Sequence, residues 1–188
     1  MKASGLFGIG LSAALVATAA GRPVPFTAGN LVVVQAGDGS GTLDSSATAI
    51  ILKEVSVLDG SVVQSIPLPV LPVGANHAIT LSGSSGSQGF ISRSTDNQFF
   101  VLTGFDAPVG TIGVSTSTPD IVPRVVARID MSGNVDTTTA LGDAFSGDLI
   151  RSAVSTNGTD LWVGGTGSLS TSAGVRYGYT SGTWKSDL

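Results

Sequence analysis

The chain has no cysteine, a single histidine and, at position 54, a single glutamate in 188 residues. Without cysteine no disulfide framework exists, so the fold is held by burial and hydrogen bonding alone. A lipid anchor that needs a cysteine at a signal-cleavage site is excluded for the same reason. A zinc site of the Cys/His kind lacks its ligand set, because zinc takes about four such donors. Charge is scarce as well: 12% of residues are Asp, Glu, Lys or Arg, and the net charge is −4. Disordered chains are normally more charged and less apolar, so this composition belongs to a folded chain. The acidic balance contains no basic cluster. Nucleic acid, whose binding depends on neutralising phosphates, is therefore excluded as a partner, and anionic membrane surfaces are disfavoured likewise.

The first twenty residues separate from the rest. Lys2 supplies one positive charge, residues 6–20 carry none, and the stretch closes on Ala17-Thr18-Ala19-Ala20. A basic start, a short apolar run and a small-residue end predict a secretory signal peptide over residues 1–20, cleaved after Ala19 or Ala20. Spanning a bilayer takes about 20 apolar residues, and this run is shorter and rich in Gly, Ser and Thr. The expectation is a secreted, extracellular or cell-surface protein, with the periplasm as the other destination, and no membrane span after cleavage.

A sustained helical period is also missing. After residue 21 short β-branched and aromatic runs alternate with Gly, Asn, Asp, Ser and Pro, the pattern of strands and turns. It predicts strands over 31–35, 49–58, 62–68, 89–93, 99–105, 124–129, 150–154, 160–164 and 174–177. The fold class is all-β, with antiparallel sheets. Asp59-Gly60 between two apolar runs predicts a type I′ hairpin turn, and Ser132-Gly133-Asn134 and Asn157-Gly158 mark further turns.

Two landmarks recur in the same order. Ser94-Thr95-Asp96 leading into Phe99-Phe100-Val101-Leu102-Thr103-Gly104 matches Ser155-Thr156-Asn157 leading into Asp160-Leu161-Trp162-Val163-Gly164-Gly165. Gly60-Ser61-Val62, ending at Leu68, matches Gly133-Asn134-Val135, ending at Leu141. A repeated unit of about four strands has the size of a propeller blade, about 40–50 residues with loops added. The expected organisation is a β-repeat domain over 21–188 holding about two blades and part of a third, as the N-terminal part of a longer protein. A free-standing β-sandwich is the alternative.

The segment Gly133-Asn134-Val135-Asp136-Thr137-Thr138-Thr139-Ala140-Leu141, followed by Ile150-Arg151, the Trp162 strand and Gly174-Val175-Arg176-Tyr177, resembles segments of large secreted bacterial proteins. Those proteins look like kelch- or YVTN-type β-propellers, mostly without assigned function. The resemblance implies a partial propeller of antiparallel blades and carries no active-site residue across.

His77 would have to serve as the base of any serine triad, yet no G-x-S-x-G elbow accompanies it, and an exposed loop histidine is the reading favoured. Asp38, Ser40, Thr42 and Asp44 place oxygens on alternate residues, as a calcium loop does. Ala49 stands where a bidentate Glu belongs, and a plain hairpin loop is the competing reading. Calcium is the one cofactor for which a candidate site exists. Glu54, Asp96, Asp106 and Asp148 supply carboxylates, but nothing pairs them at the separation glycoside hydrolysis needs. Glu54 reads as half of a surface charge pair with Lys53, and Asp59, Asp96 and Asn157 read as turn residues. Trp162, Phe99, Phe100 and Tyr177 are candidates for a ligand platform. Trp162, equivalent to Val101, is expected in the core, while Tyr177, Tyr179 and Trp184 are freer to be exposed. Arg93, Arg151 and Arg176 are expected to pair with turn aspartates between neighbouring sheets or to serve a ligand. No catalytic constellation emerges. The functional expectation is a structural or binding role toward a surface glycan or protein ligand. A non-catalytic fragment of a secreted carbohydrate-active hydrolase is the alternative.

Overall fold

The computed structural model describes residues 24–180. The signal peptide expected over 1–20 and the end of the chain over 181–188, Trp184 included, lie outside the described residues.

The chain is all-β. Its strands are β1 (Leu31–Ala36), β2 (Ala47–Thr48), β3 (Ile50–Val55), β4 (Val62–Pro67), β5 (Leu81–Ser82), β6 (Ser92–Arg93), β7 (Phe99–Phe105), β8 (Arg124–Asp130), β9 (Val135–Leu141), β10 (Ile150–Ser155), β11 (Asp160–Gly165) and β12 (Gly174–Tyr179). They form a first sheet β1-β3-β4, a central sheet β6-β7-β8-β9, a last sheet β10-β11-β12 and a two-stranded ladder β2-β5. Every pairing is antiparallel. Each predicted strand has a counterpart, but that expected over 89–93 shrinks to Ser92–Arg93 and that over 49–58 to Ile50–Val55. Strand β9, which the sequence marked only as the end of a repeat landmark, completes the central sheet.

The sheets stack face on face. Ile50, Leu52 and Ile66 of the first sheet meet Leu102, Val125, Ala127 and Ile129 of the central sheet, with Ile79 and Leu81 between. The opposite face of the central sheet presents Val101 and Val126, which pack against Ile150, Ala153, Leu161 and Val163 of the last sheet. The central sheet is thus buried on both sides. That explains its sequence: Phe99–Phe105 and Arg124–Asp130 are apolar with little alternation, as two-sided burial requires. Strand β3 has one dry face and alternates strictly between buried and half-buried positions.

Polar seams reinforce the stack. From the central sheet, Thr95 N donates to Ser155 O at 3.1 Å and Asp96 N to Thr156 O at 3.0 Å. Ser92 Oγ donates to Ala153 O at 2.7 Å, and the Arg128 guanidinium donates to Gly158 O at 2.8 Å while lying over the Phe99 ring. A fully buried arginine, Arg124, ties the loops at one end of the central sheet. It lies over the Phe105 ring and donates to Ser117 Oγ and to the carbonyls of Ser117, Val122, Phe145 and Asp148. Burial lowers its pKa to about 10, partly opposed by the nearby Asp148, so it stays charged at neutral pH.

The turns correct one expectation. Only Gly60 of the Asp59-Gly60 pair takes a positive φ, 74°, so the turn is not type I′, which needs both central residues there. The loop is longer, closed by Ser56 N to Ser61 O at 2.9 Å, and the Asp59 carboxylate accepts from Ser61 N and Oγ. Asn157-Gly158 behaves as expected of a turn: Asn157 Oδ1 accepts from Thr159 N and Asp160 N.

Gly158 sits where the last sheet touches the central one. Its φ is 76°, and a Cβ there would stand 2.3 Å from the Phe99 ring. Gly158→Ala is expected to lower the unfolding free energy by about 2–3 kcal/mol, combining a disfavoured conformation with overpacking. Urea denaturation followed by far-UV circular dichroism measures this, and an unchanged midpoint would contradict the contact.

Candidate binding site

A cleft of about 310 Å³ lies where the segment before β1 meets the central sheet. Phe26, Thr27 and Asn30 form one wall, and Arg93, Gln98 and Phe100 the other. Phe26 stands edge-on to Phe100 with centroids 5.2 Å apart, and its N–H donates to Met131 O at 2.9 Å. These two contacts fasten the leading segment to β7 and to the β8–β9 turn.

Glu54 sets the shape of the first wall. Its Oε1 accepts from Thr27 N at 2.8 Å and Asn30 Nδ2 at 2.6 Å, and its Oε2 accepts from Gln64 Nε2 at 2.7 Å. The expected surface pair with Lys53 is overturned: Glu54 is 1% exposed, on the inward side of β3 with Ile50 and Leu52. The physical reason is parity, since alternate strand residues share a face. Burial pushes the Glu54 carboxyl up, but the bonds from Gln64, Asn30 and Thr27 outweigh it and hold the group below its ordinary value.

On the second wall Asn97 adopts a left-handed conformation, φ 62°. The Asp96 carboxylate closes this turn by accepting from Ser94 Oγ and Gln98 N. These bonds hold Asp96 below the ordinary aspartate value. Arg93 is exposed and donates to Asn97 O at 3.1 Å. The cleft therefore combines an aromatic floor with one guanidinium that has no carboxylate against it among the described residues. Such a site suits a ligand joining a carboxylate to an apolar surface.

The remaining candidates fall elsewhere. Trp162 is not in the core: it is 36% exposed, on the side of the last sheet that no other sheet covers among the described residues. Tyr177 lies beside it at 5.0 Å, and Tyr179 beside Tyr177 at 5.3 Å. The Tyr177 hydroxyl donates to Asp160 at 2.6 Å. That bond, with Tyr179 adding to it, pushes the phenol well above its usual range, and holds Asp160, which also accepts from Asn157, below its own. Phe99 and Phe100 belong to the central sheet, so the four aromatics do not make one platform.

His77 Nδ1 pairs with Asp106 Oδ2 at 2.7 Å, and Asp106 Oδ1 accepts from Ala78 N. No hydroxyl among the described residues bonds to the other ring nitrogen, so the pair reads as a clamp on the linker. Asp38, Ser40 and Thr42 line a shallow cleft of about 230 Å³. Asp38 is engaged by Ser40 N and Oγ, and Asp44 by Ser46 N and Oγ; both carboxyls are held below their ordinary value by those bonds. Asp148 caps its own neighbour, accepting from Leu149 N. The expected arginine–aspartate pairs are also corrected. Arg93, Arg151 and Arg176 reach Asn97 O, Thr166 Oγ1 and Thr171 O, while the ion pair on the sheets is Arg128–Asp136 at 2.7 Å.

Comparison of the chain with protein-family models, with curated proteins and with solved structures finds no match.

Because the Glu54 pKa is lowered on folding, its contribution to stability is full above the ordinary value of 4.5 and is lost as pH falls through the folded value. Glu54→Gln is expected to cost about 1–3 kcal/mol at pH 7, since inward-facing donors lose a charged acceptor. The gap between wild type and variant is expected to narrow as pH falls from 6 to 3. Thermal melts across that range measure it, and a constant gap would contradict the assignment.

Proposed function

We propose that the chain is a secreted or cell-surface β-propeller-like protein with a structural or binding role and no catalysis. The first, central and last sheets are read as successive blades of the kelch- or YVTN-like kind. The observation that carries this reading is the central sheet, which has neither face free. A two-sheet sandwich leaves each sheet one outer face, whereas stacked blades cover both faces of every interior member. The matching Ser94 and Ser155 turns, laid side by side, support a repeated unit. The composition of residues 1–20 supports export.

The ligand site in this reading is the cleft of Phe26, Arg93 and Phe100, and the ligand class is a carboxylate-bearing surface glycan or protein segment. Arg93 orients the carboxylate, the two rings take the apolar part, and Glu54 holds the wall in place without touching the ligand. Loops that carry recognition on a rigid scaffold are the usual arrangement for such sites.

Two measurements test this. Expression of the full chain in a secreting bacterial host, followed by N-terminal sequencing of the exported protein, is expected to yield a chain beginning at Ala20 or Gly21. Retention inside the cell with Met1 intact would contradict export. Arrays of acidic glycans and acidic peptides are expected to show binding that Arg93→Glu lowers about tenfold or more, the loss of one charge-assisted contact. Binding indifferent to Arg93→Glu would remove the cleft as the site.

A further inference from the structure

Among the described residues, no sheet covers the outer face of the first sheet or the outer face of the last. On the outer side of the first sheet stand Leu31, 58% exposed, Val33, 41%, and Val62, 51%, with Lys53 opposite Val33. On the outer side of the last sheet stand Trp162, Val154 opposite it, and Tyr177, with Val175 and Tyr179 alongside. The central sheet shows how such faces are satisfied. Its Val101 side is covered by the inner side of the sheet that follows. With the Ser94 and Ser155 turns aligned, Trp162 holds in β11 the place of Val101 in β7. The last sheet therefore offers to solvent the same kind of face that the central sheet buries. The first sheet offers the complementary one, a face that would receive a preceding sheet.

We propose that two copies of this chain associate head to tail, the outer face of the last sheet of each covering the outer face of the first sheet of the other. The described residues of two copies supply six large sheets, inside the range of about 4–8 blades over which such rings close. Heterologous contacts that close leave no bare face. The inference rests on reading the sheets as blades.

Charge favours this occupant. Lys53 is the lysine of the described residues and has no hydrogen bond or ion pair among them, though it stands half-buried in the middle of an apolar face. Asp160, at the rim of the opposing face, accepts from Tyr177 and Asn157 but faces no cation. Each face thus carries the charge the other lacks. Main-chain groups agree. Thr95 N and Asp96 N donate across to the next sheet, and the equivalent Thr156 and Asn157 are exposed, with N–H groups that donate to no partner among the described residues. A glycan fits the same face less well. The Trp162 and Tyr177 rings are inclined by 41° and those of Tyr177 and Tyr179 by 70°, so no flat platform is offered to a sugar ring.

The test is sedimentation equilibrium and light scattering on the exported chain across a wide concentration range. The expected result is a species of twice the monomer mass. Trp162→Lys and, separately, Lys53→Glu are expected to weaken it about tenfold or more while the far-UV spectrum is unchanged. The charge swap Lys53→Asp with Asp160→Lys is expected to restore it. A folded monomer at every concentration overturns the dimer and leaves the blade reading standing. So does an open-ended series of larger species, which overturns closure of the ring, and so does a dimer indifferent to both single substitutions. The blade reading fails separately, if Leu161→Asp leaves the central sheet and the last sheet unfolding independently instead of in one transition.

Discussion

The structure depends on burying both faces of one four-stranded sheet. Phe100, Leu102, Val125, Ala127 and Ile129 make one side of the central sheet apolar, and Val101 and Val126 the other. Water wets neither. A sheet of that kind is stable only between two others, because exposing either face gives up roughly 25 cal/mol for each Å² uncovered. The first and last sheets exist on those terms. Each needs one apolar face toward the centre, and each then turns its other face outward.

Part of the scarce charge lies inside this arrangement, at Glu54, Arg124 and Arg176. Arg124 lies fully buried and binds loop carbonyls with no carboxylate in direct contact. Glu54 is buried and binds three donors with no cation against it. Buried ions of this kind persist because their hydrogen bonds replace water. The aspartates do related work at the turns. Asp38, Asp44, Asp59 and Asp96 each accept from the residue two places on, which lets a cysteine-free chain rich in Gly and Ser hold definite loops.

Much of the fold was legible in the residues. β-Branched and aromatic runs marked the strands, and the Ser94 and Ser155 segments marked two hairpins that the structure places side by side. Glu54 was misread although its parity with Ile50 and Leu52 was visible, because a lone carboxylate beside Lys53 looked like a surface pair. Trp162 was misplaced for the opposite reason. Its alignment with Val101 identified the correct side of the strand, but only the order of the sheets leaves that side uncovered. The cleft was not legible at all. Phe26 and Phe100 are separated by more than seventy positions, and what brings their rings together is the bond from Phe26 N to Met131 O.

Local chemistry was therefore enough to decide strand, turn and the absence of a disulfide or zinc framework, since these depend on neighbours within a few residues. The runs at 99–105 and 124–129 also carry the largely apolar composition that two-sided burial requires. Tertiary structure alone decided which faces remain bare, where the buried ions find their partners, and which side chains meet at the cleft. Those outcomes depend on stacking order, a property of residues far apart along the chain, and no local periodicity encodes it.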